Sequence, residues 1–317
     1  MNRQLRGSIM LLITALIWGT GFVARKSGMD TISPIAFNGM RMMIGALTLL
    51  PVIAFMNRKS KGPRIESTPA EKEQQKKQQK LLFTGGVCCG LFLMAAGSFQ
   101  QVGIYYTNAG KAGFITALYV VLVPIIGVFL KRKIRPIFWA CVGASAVGLY
   151  LLCIPAGGGF SDVNKGDILV FCCAFLYAGH ILCIDYFSPK VDSVKMSCIQ
   201  FFVVGIVSFL LMFFIDPALG FSLPTLSDIH ASWFELFYAG IMTCGVAYTF
   251  QVVAQADVNP TLASMLLCLE SVFAVLASAI ILKDPLGPRE IIGCVFLFAA
   301  IVVAQLPGKK LKSDPHL

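Results

Sequence analysis

Apolar runs of about twenty residues recur along this chain, each parted from the next by a short polar or glycine- and proline-containing joint. A run of that length crosses bilayer hydrocarbon as a helix. Ten begin near Gly7, Pro34, Leu81, Ala109, Ile134, Asp167, Ser193, Trp233, Pro260 and Gly287. An open strand cannot satisfy its backbone in hydrocarbon, and a barrel would show short alternating segments, so the spans are expected to be helices. The predicted fold is an all-α polytopic membrane protein with ten transmembrane helices. The first run follows Arg3 and Arg6 and imitates a signal peptide. It is longer than such an apolar region, and Phe22 sits at the −3 position before Ala24, so it is read as uncleaved.

The one long polar insertion, Asn57 to Lys80, lacks an apolar stripe and is expected to be a solvated linker. Contact of its basic residues with anionic headgroups is the alternative. Composition agrees with the spans: 57% of the 317 residues are hydrophobic and 13% charged, with a mean hydropathy of +0.78. The net charge of +10 would suggest nucleic acid in a soluble protein, but its placement argues for topology instead. With the N-terminus inside, nineteen Lys and Arg fall on the cytoplasmic side. Five (Arg25, Lys26, Lys165, Lys283 and Arg289) fall outside, and Arg41 and Lys111 lie within spans. That bias predicts both termini in the cytoplasm of a plasma-membrane protein.

The two halves align helix for helix. Leu16 to Gly28 lies over Phe175 to Phe187 at an offset of 159, placing Trp18 on Tyr177 and Arg41 on Gln200. Phe99 to Phe114 lies over Phe250 to Met265 at 151, pairing Gln100 with Gln251, and Gly143 meets Gly293 at 150. Expected units are 1–155, with the 57–80 linker inside it, and 164–306, followed by a 307–317 cytoplasmic tail. Five helices per half is an odd number, so the second copy enters from the opposite side. The predicted architecture is an inverted 5+5 repeat, which suits alternating access around a midplane site.

Depth and repeat select the same residues. Glu270 is near the centre of the ninth run, and an ionised side chain there should face protein or a wet cavity. A structural carboxylate bonded to a neighbouring helix is the alternative. Its repeat mate Tyr119, together with Trp18 and Tyr177, shares that depth. His180 lies a turn inward of Tyr177, Arg41 a turn outward of its helix centre, and Gln100 and Gln251 on either side of the midplane. With Tyr248 these form the candidate substrate-binding set, Arg41 being a candidate charge partner for Glu270. Each has a packing explanation when taken alone. Lys111 is expected to snorkel, Glu235 and Asp185 to be interfacial, and the fifth and tenth runs, poor in interior polar groups, to be peripheral. Small residues at Gly19, Gly21, Gly85, Gly86, Gly90 and Gly143 to Gly148 permit close helix approach.

All eleven cysteines lie in apolar runs with no metal-ligand spacing, and no ATP-binding loop is present, so no metal or other cofactor is expected. An intramembrane lipid-modifying enzyme, the rival reading, would need a metal-binding pair of acids or a nucleophile with its base. The central spans offer one Glu and one His on different helices.

The segments WGTGFVARK, SPIAFNGMRMMIGALTLLP, TNAGKAGFITALYVVLVPIIG, and the stretch from Gly245 to Gln305 resemble the EamA family of the drug/metabolite transporter superfamily. The resemblance runs over nearly the whole chain. It implies a ten-helix inverted repeat, a cavity lined mainly by the first, third, fourth, sixth, eighth and ninth helices, and gradient-driven export of a small metabolite such as an amino acid, with the proton as a possible coupling ion. Two departures stand out. Ser271 replaces the helix-distorting proline of a Leu-Glu-Pro signature, and Lys283-Asp284 replaces Gly-Glu.

Overall fold

The computed structural model describes residues 3–29, 31–59, 68–107, 109–154, 163–281 and 287–306, without the side chains of 22–27, 59, 109–111, 278, 279 and 281. The side chains of Arg25, Lys26 and Lys111, the Lys283-Asp284 pair, residues 60–67 of the polar insertion and the 307–317 tail lie outside that description. Among the described residues there is no strand, and nine helices are long and apolar enough to cross a membrane. With the first helix they make ten: α1 (Arg3–Gly28), α2 (Pro34–Lys59), α3 (Pro69–Tyr106), α4 (Ala109–Ala117 and Tyr119–Phe129), α5 (Pro136–Cys153), α6 (Lys165–Phe187), α7 (Ser193–Ala218), α8 (Trp233–Phe237, Tyr238–Tyr248 and Thr249–Ala254), α9 (Pro260–Leu267 and Leu269–Ile281) and α10 (Pro288–Gln305).

Local chemistry sets where these helices start. Proline opens α3, α5, α9 and α10, where its missing N–H would have had no helical partner. Thr68 with Glu71, and Asn164 with Asp167, satisfy each other's backbone donors at the starts of α3 and α6. The buried Asp216, near the end of α7, accepts from Ser33 Oγ at 2.7 Å and from the Ile35 and Ala36 amides at 3.2 Å. It thereby caps α2 from a different helix and suits the positive end of the α2 dipole.

One boundary differs from the sequence reading. Of the expected 57–80 linker, residues 57–59 end α2 and residues 69–80 are the opening turns of α3, not loop. At about 1.5 Å per residue the 38 residues of α3 reach roughly 57 Å, against about 30 Å of hydrocarbon, so this exposed polar end projects beyond the bilayer. The Thr68–Glu71 box closes it, and Gln78 bonds to the Lys190 carbonyl beside the α6–α7 joint.

A short helix, Leu226–Ala231, sits between α7 and α8 under another reciprocal cap. Asp228 Oδ2 accepts from the Thr225 amide at 2.8 Å and the Thr225 hydroxyl at 2.7 Å. These bonds hold the Asp228 carboxyl below the 3.8 of an unperturbed aspartate. A depressed folded value means the cap contributes above the unfolded value and is lost as pH falls through the folded one. Amide exchange over 225–231 is therefore expected to quicken in Asp228→Asn at neutral pH. In the wild type the protection, taken relative to the intrinsic exchange rate at each pH, should be lost only below about pH 4. Exchange mass spectrometry in detergent reads both.

The halves pack as exchanged copies. α3 lies on α6 as α8 lies on α1, α3 on α7 as α8 on α2, and α4 on α6 as α9 on α1, while α2 with α7 and α5 with α10 are self-paired. The close approaches repeat as well. A Cβ on Gly90 would meet the Gln200 carbonyl oxygen at 3.0 Å, and one on Gly240 would meet that of Arg41 at 3.0 Å. Gly166 sits on Gly103 as Gly7 sits on Ala254. The mates α2 and α7 run antiparallel, since Gly39 meets Gly205 while the Cys198 thiol donates to the Ala46 carbonyl at 3.7 Å. Copies that run in opposite directions are inverted.

α5 and α10 pack chiefly on each other, so closely that a Cβ on Gly148 would meet the Gly293 carbonyl oxygen at 2.8 Å and one on Gly293 that of Gly148 at 2.7 Å. Gly143, the sequence-aligned partner of Gly293, faces open space.

Two irregularities lie at the centre of the bundle. α4 is interrupted at Leu118 and α9 at Cys268, within one residue of equivalent places in the two copies, and the Cys268 thiol donates to the Ala117 carbonyl at 3.6 Å, so the breaks face each other. The α9 break therefore exists without the family's proline. The second irregularity is the π-helical stretch Tyr238–Tyr248 in α8. Before it Gly240 answers to Gly90; after it Ala254 answers to Gly103, one residue further on. The π turn absorbs one extra residue relative to α3.

Candidate functional site

A cavity at mid-depth is lined by Trp18, Arg41, Gln100, Thr116, Tyr119, Tyr177, His180, Ile181, Tyr248, Gln251, Leu267 and Glu270. All nine residues singled out from the sequence (the eight candidate binding residues and Arg41) thus meet around one space. About 30 Å³ is open to water centres, room for two or three waters at roughly 10–15 Å³ each. A metabolite would need the walls to part.

The two helix breaks supply the floor of this space. Tyr119 and Glu270 are the first and second residues of the second segments of α4 and α9, so both sit at a half-helix N-terminus, where the backbone dipole favours negative charge. One turn earlier, Thr116 and Leu267 line the cavity from equivalent positions. The sequence reading passed over both. Applying the repeat offset one turn before Tyr119 and Glu270 would have found them.

Aromatic rings form the wall. Trp18 and Tyr248 pack with centroids 4.5 Å apart, and Trp18 Nε1 donates to the Thr243 carbonyl in the π segment at 3.0 Å. The hydroxyl of Thr14, one turn back on α1, donates to the Ala247 carbonyl at 3.1 Å. The π segment thus positions α1, and its side chain Tyr248 also stacks edge-on with His180 at 6.3 Å. The Tyr177 hydroxyl donates to Gln100 Oε1 and Gln100 Nε2 donates to Thr116 Oγ1, both at 3.3 Å, a chain tying α6, α3 and α4 together.

The polar groups are unevenly satisfied. His180 Nε2 lies 3.1 Å from Gln200 Oε1, which as acceptor places the ring proton on Nε2. Among the described residues Nδ1 is buried without a partner, as is Gln251 Oε1. Arg41, 1% exposed, gives Nε and Nη2 to the single oxygen Oδ1 of Asn38 at 3.2 and 2.8 Å. Asn38 in turn donates to Ser208 Oγ at 3.4 Å and rests on Gly97. Asn38 was not singled out from the sequence, although its i, i+3 spacing from Arg41 was there to be read.

Charge is distributed asymmetrically between the copies. The mate of the Arg41 cation is neutral Gln200, and the mate of the Glu270 acid is neutral Tyr119. Among the described residues no group of three His, Cys, Asp or Glu could hold a metal ion.

A membrane-spanning inverted repeat closing on a central polar cavity is an architecture that membrane transporters use. The model of the EamA-like transporter family matches residues 5–154 and 164–305, once in each half, and the chain belongs to that family, within the drug/metabolite transporter superfamily. It is 30% identical over 310 residues to an uncharacterized transporter of Archaeoglobus fulgidus, covering 96% of this chain and 87% of that protein. An uncharacterized transporter of Clostridium kluyveri is 24% identical over 321 residues, covering 96% and 94%. A solved crystal structure at 18% identity shares the fold with a TM-score of 0.73, covering 95% and 98% of the two chains.

Proposed function

We propose that this protein is a gradient-driven carrier that exports a small polar metabolite across the plasma membrane by alternating access, and that it is not an enzyme. The units 1–155 and 164–306 rock against each other, both termini and the 307–317 tail lying in the cytoplasm. Glu270 takes up and releases the coupling proton or holds a cationic group of the substrate. Trp18, Tyr119, Tyr177 and Tyr248 form the wall, Gln100, Gln251 and His180 offer hydrogen bonds, and Arg41 supplies the counter-charge across the cavity.

The observation that carries this reading is the convergence of repeat mates from both halves on one space: Trp18 with Tyr177, Gln100 with Gln251, and Tyr119 with Glu270 all line it. A site shared between inverted copies becomes open to one side or the other as the copies exchange shapes.

The test is counterflow in proteoliposomes. Vesicles preloaded with each member of a panel of amino acids and nucleosides are expected to accumulate the labelled compound saturably for at least one member, and an imposed pH gradient should raise the initial rate. Uptake that rises linearly with concentration would point to a channel, and no uptake for any compound would count against a carrier of this class.

A further inference from the structure

We infer that Arg41, held on Asn38, is an anion subsite of the central cavity and takes the carboxylate of the transported compound. This rests on the carrier reading above and goes beyond it by assigning a charge and a docking group to the ligand.

The argument starts from burial. A guanidinium that is 1% exposed has left water, and such a charge normally sits against an acid. Here, among the described residues, its hydrogen bonds run only to Asn38, and both end on one amide oxygen. The Asn38 amide is itself fixed by Ser208 and backed by Gly97, where a Cβ would come within 3.3 Å of it. Asn38 therefore orients the guanidinium but contributes no charge, and among the described residues Nη1 makes no hydrogen bond, which leaves its donors for a ligand in the cavity that Arg41 lines.

The surroundings suit a small carboxylate better than a more highly charged anion. Glu270 lines the same cavity and would repel a ligand carrying only negative charge, whereas one that also bears a cationic group answers both. His180 Nδ1 and Gln251 Oε1, both from residues lining this cavity and buried without partners among the described residues, are acceptors for donors that such a ligand carries. The equivalent place in the other half holds Gln200, so the cavity has one such subsite and not two.

The test uses full-length protein in detergent and follows its melting temperature against a panel of amino acids, hydroxy acids and dicarboxylates, each beside its carboxamide. At least one acid is expected to stabilise the wild type while its amide does so at least tenfold less potently. Arg41→Gln should lose that difference. Because Arg41→Gln could fail to fold, Asn38→Asp provides the second arm: its carboxylate pairs with Arg41 within the site and should abolish stabilisation by the acid while the protein still folds. Acid and amide binding alike, no acid binding at all, or an Asn38→Asp protein that holds the acid as tightly as wild type would each overturn the subsite. Amines or neutral compounds that bind and undergo counterflow would leave the carrier reading intact. Acids that bind through Arg41 without counterflow would sink the carrier and spare the subsite.

Discussion

Glu270→Gln is expected to bring pH-gradient-driven uptake in proteoliposomes down by about thirtyfold or more while leaving the melting temperature close to that of the wild type. The substitution keeps the shape and loses the titratable group. Truncating one member of a buried charged interaction costs roughly 2–5 kcal/mol, and each 1.4 kcal/mol is about a factor of ten. Glu270 is only half-buried in this conformation and lines the cavity at the α9 break, and glutamine keeps its size and hydrogen-bonding capacity there. A rate and pH dependence unchanged from wild type would remove Glu270 from the coupling step. Selective loss of the gradient response, with equal-concentration exchange retained, would identify Glu270 with the proton and not with the substrate.

Gly19→Ala should damage the protein through packing alone. A Cβ at Gly19 would lie 2.6 Å from the Glu270 carbonyl oxygen, 2.6 Å from Phe273 Cβ and 2.8 Å from the Ala274 amide. Two of these are backbone atoms, which cannot swing aside as a side-chain tip can. α1 must then stand off from α9 beside the cavity, at a cost of about 1–3 kcal/mol from overpacking and with the Trp18 bond to α8 strained in turn. Gly143→Ala is the control, since nothing lies within 4 Å of its added methyl. Thermal unfolding in detergent should show Gly19→Ala clearly lowered and Gly143→Ala unchanged or slightly raised. Equal melting temperatures for the two would mean that α1 and α9 are not held as closely as their backbones indicate.

Much of this architecture could be read from the chain because a bilayer leaves few alternatives. The length of an apolar run fixes a span, and the odd count per half fixes inversion. The offset between halves then carries one residue to its mate, which is how Tyr119 could be named from Glu270 before any coordinate was known. What escaped the reading was short-range and cooperative. No proline marks the α9 break at Cys268, so its origin lies in the packing of α9 against α4, where the Cys268 thiol meets the Ala117 carbonyl. The π turn of α8 leaves only a one-residue change of offset, visible once Gly90 is paired with Gly240. Residues 69–80 lack an apolar face because they touch almost nothing. Periodicity cannot report a helix held by its own capping box and by continuity with a buried segment.

The uneven charge of the cavity bears on the transport cycle proposed above. Because the cation belongs to one copy and the acid to the other, the chamber would carry, whenever Glu270 is ionised, an electric dipole whose polarity is written into the sequence and would be kept as the copies trade shapes in the proposed cycle. A passenger bound between those poles would not have to tumble on its way through: it would leave with the same end leading as when it boarded.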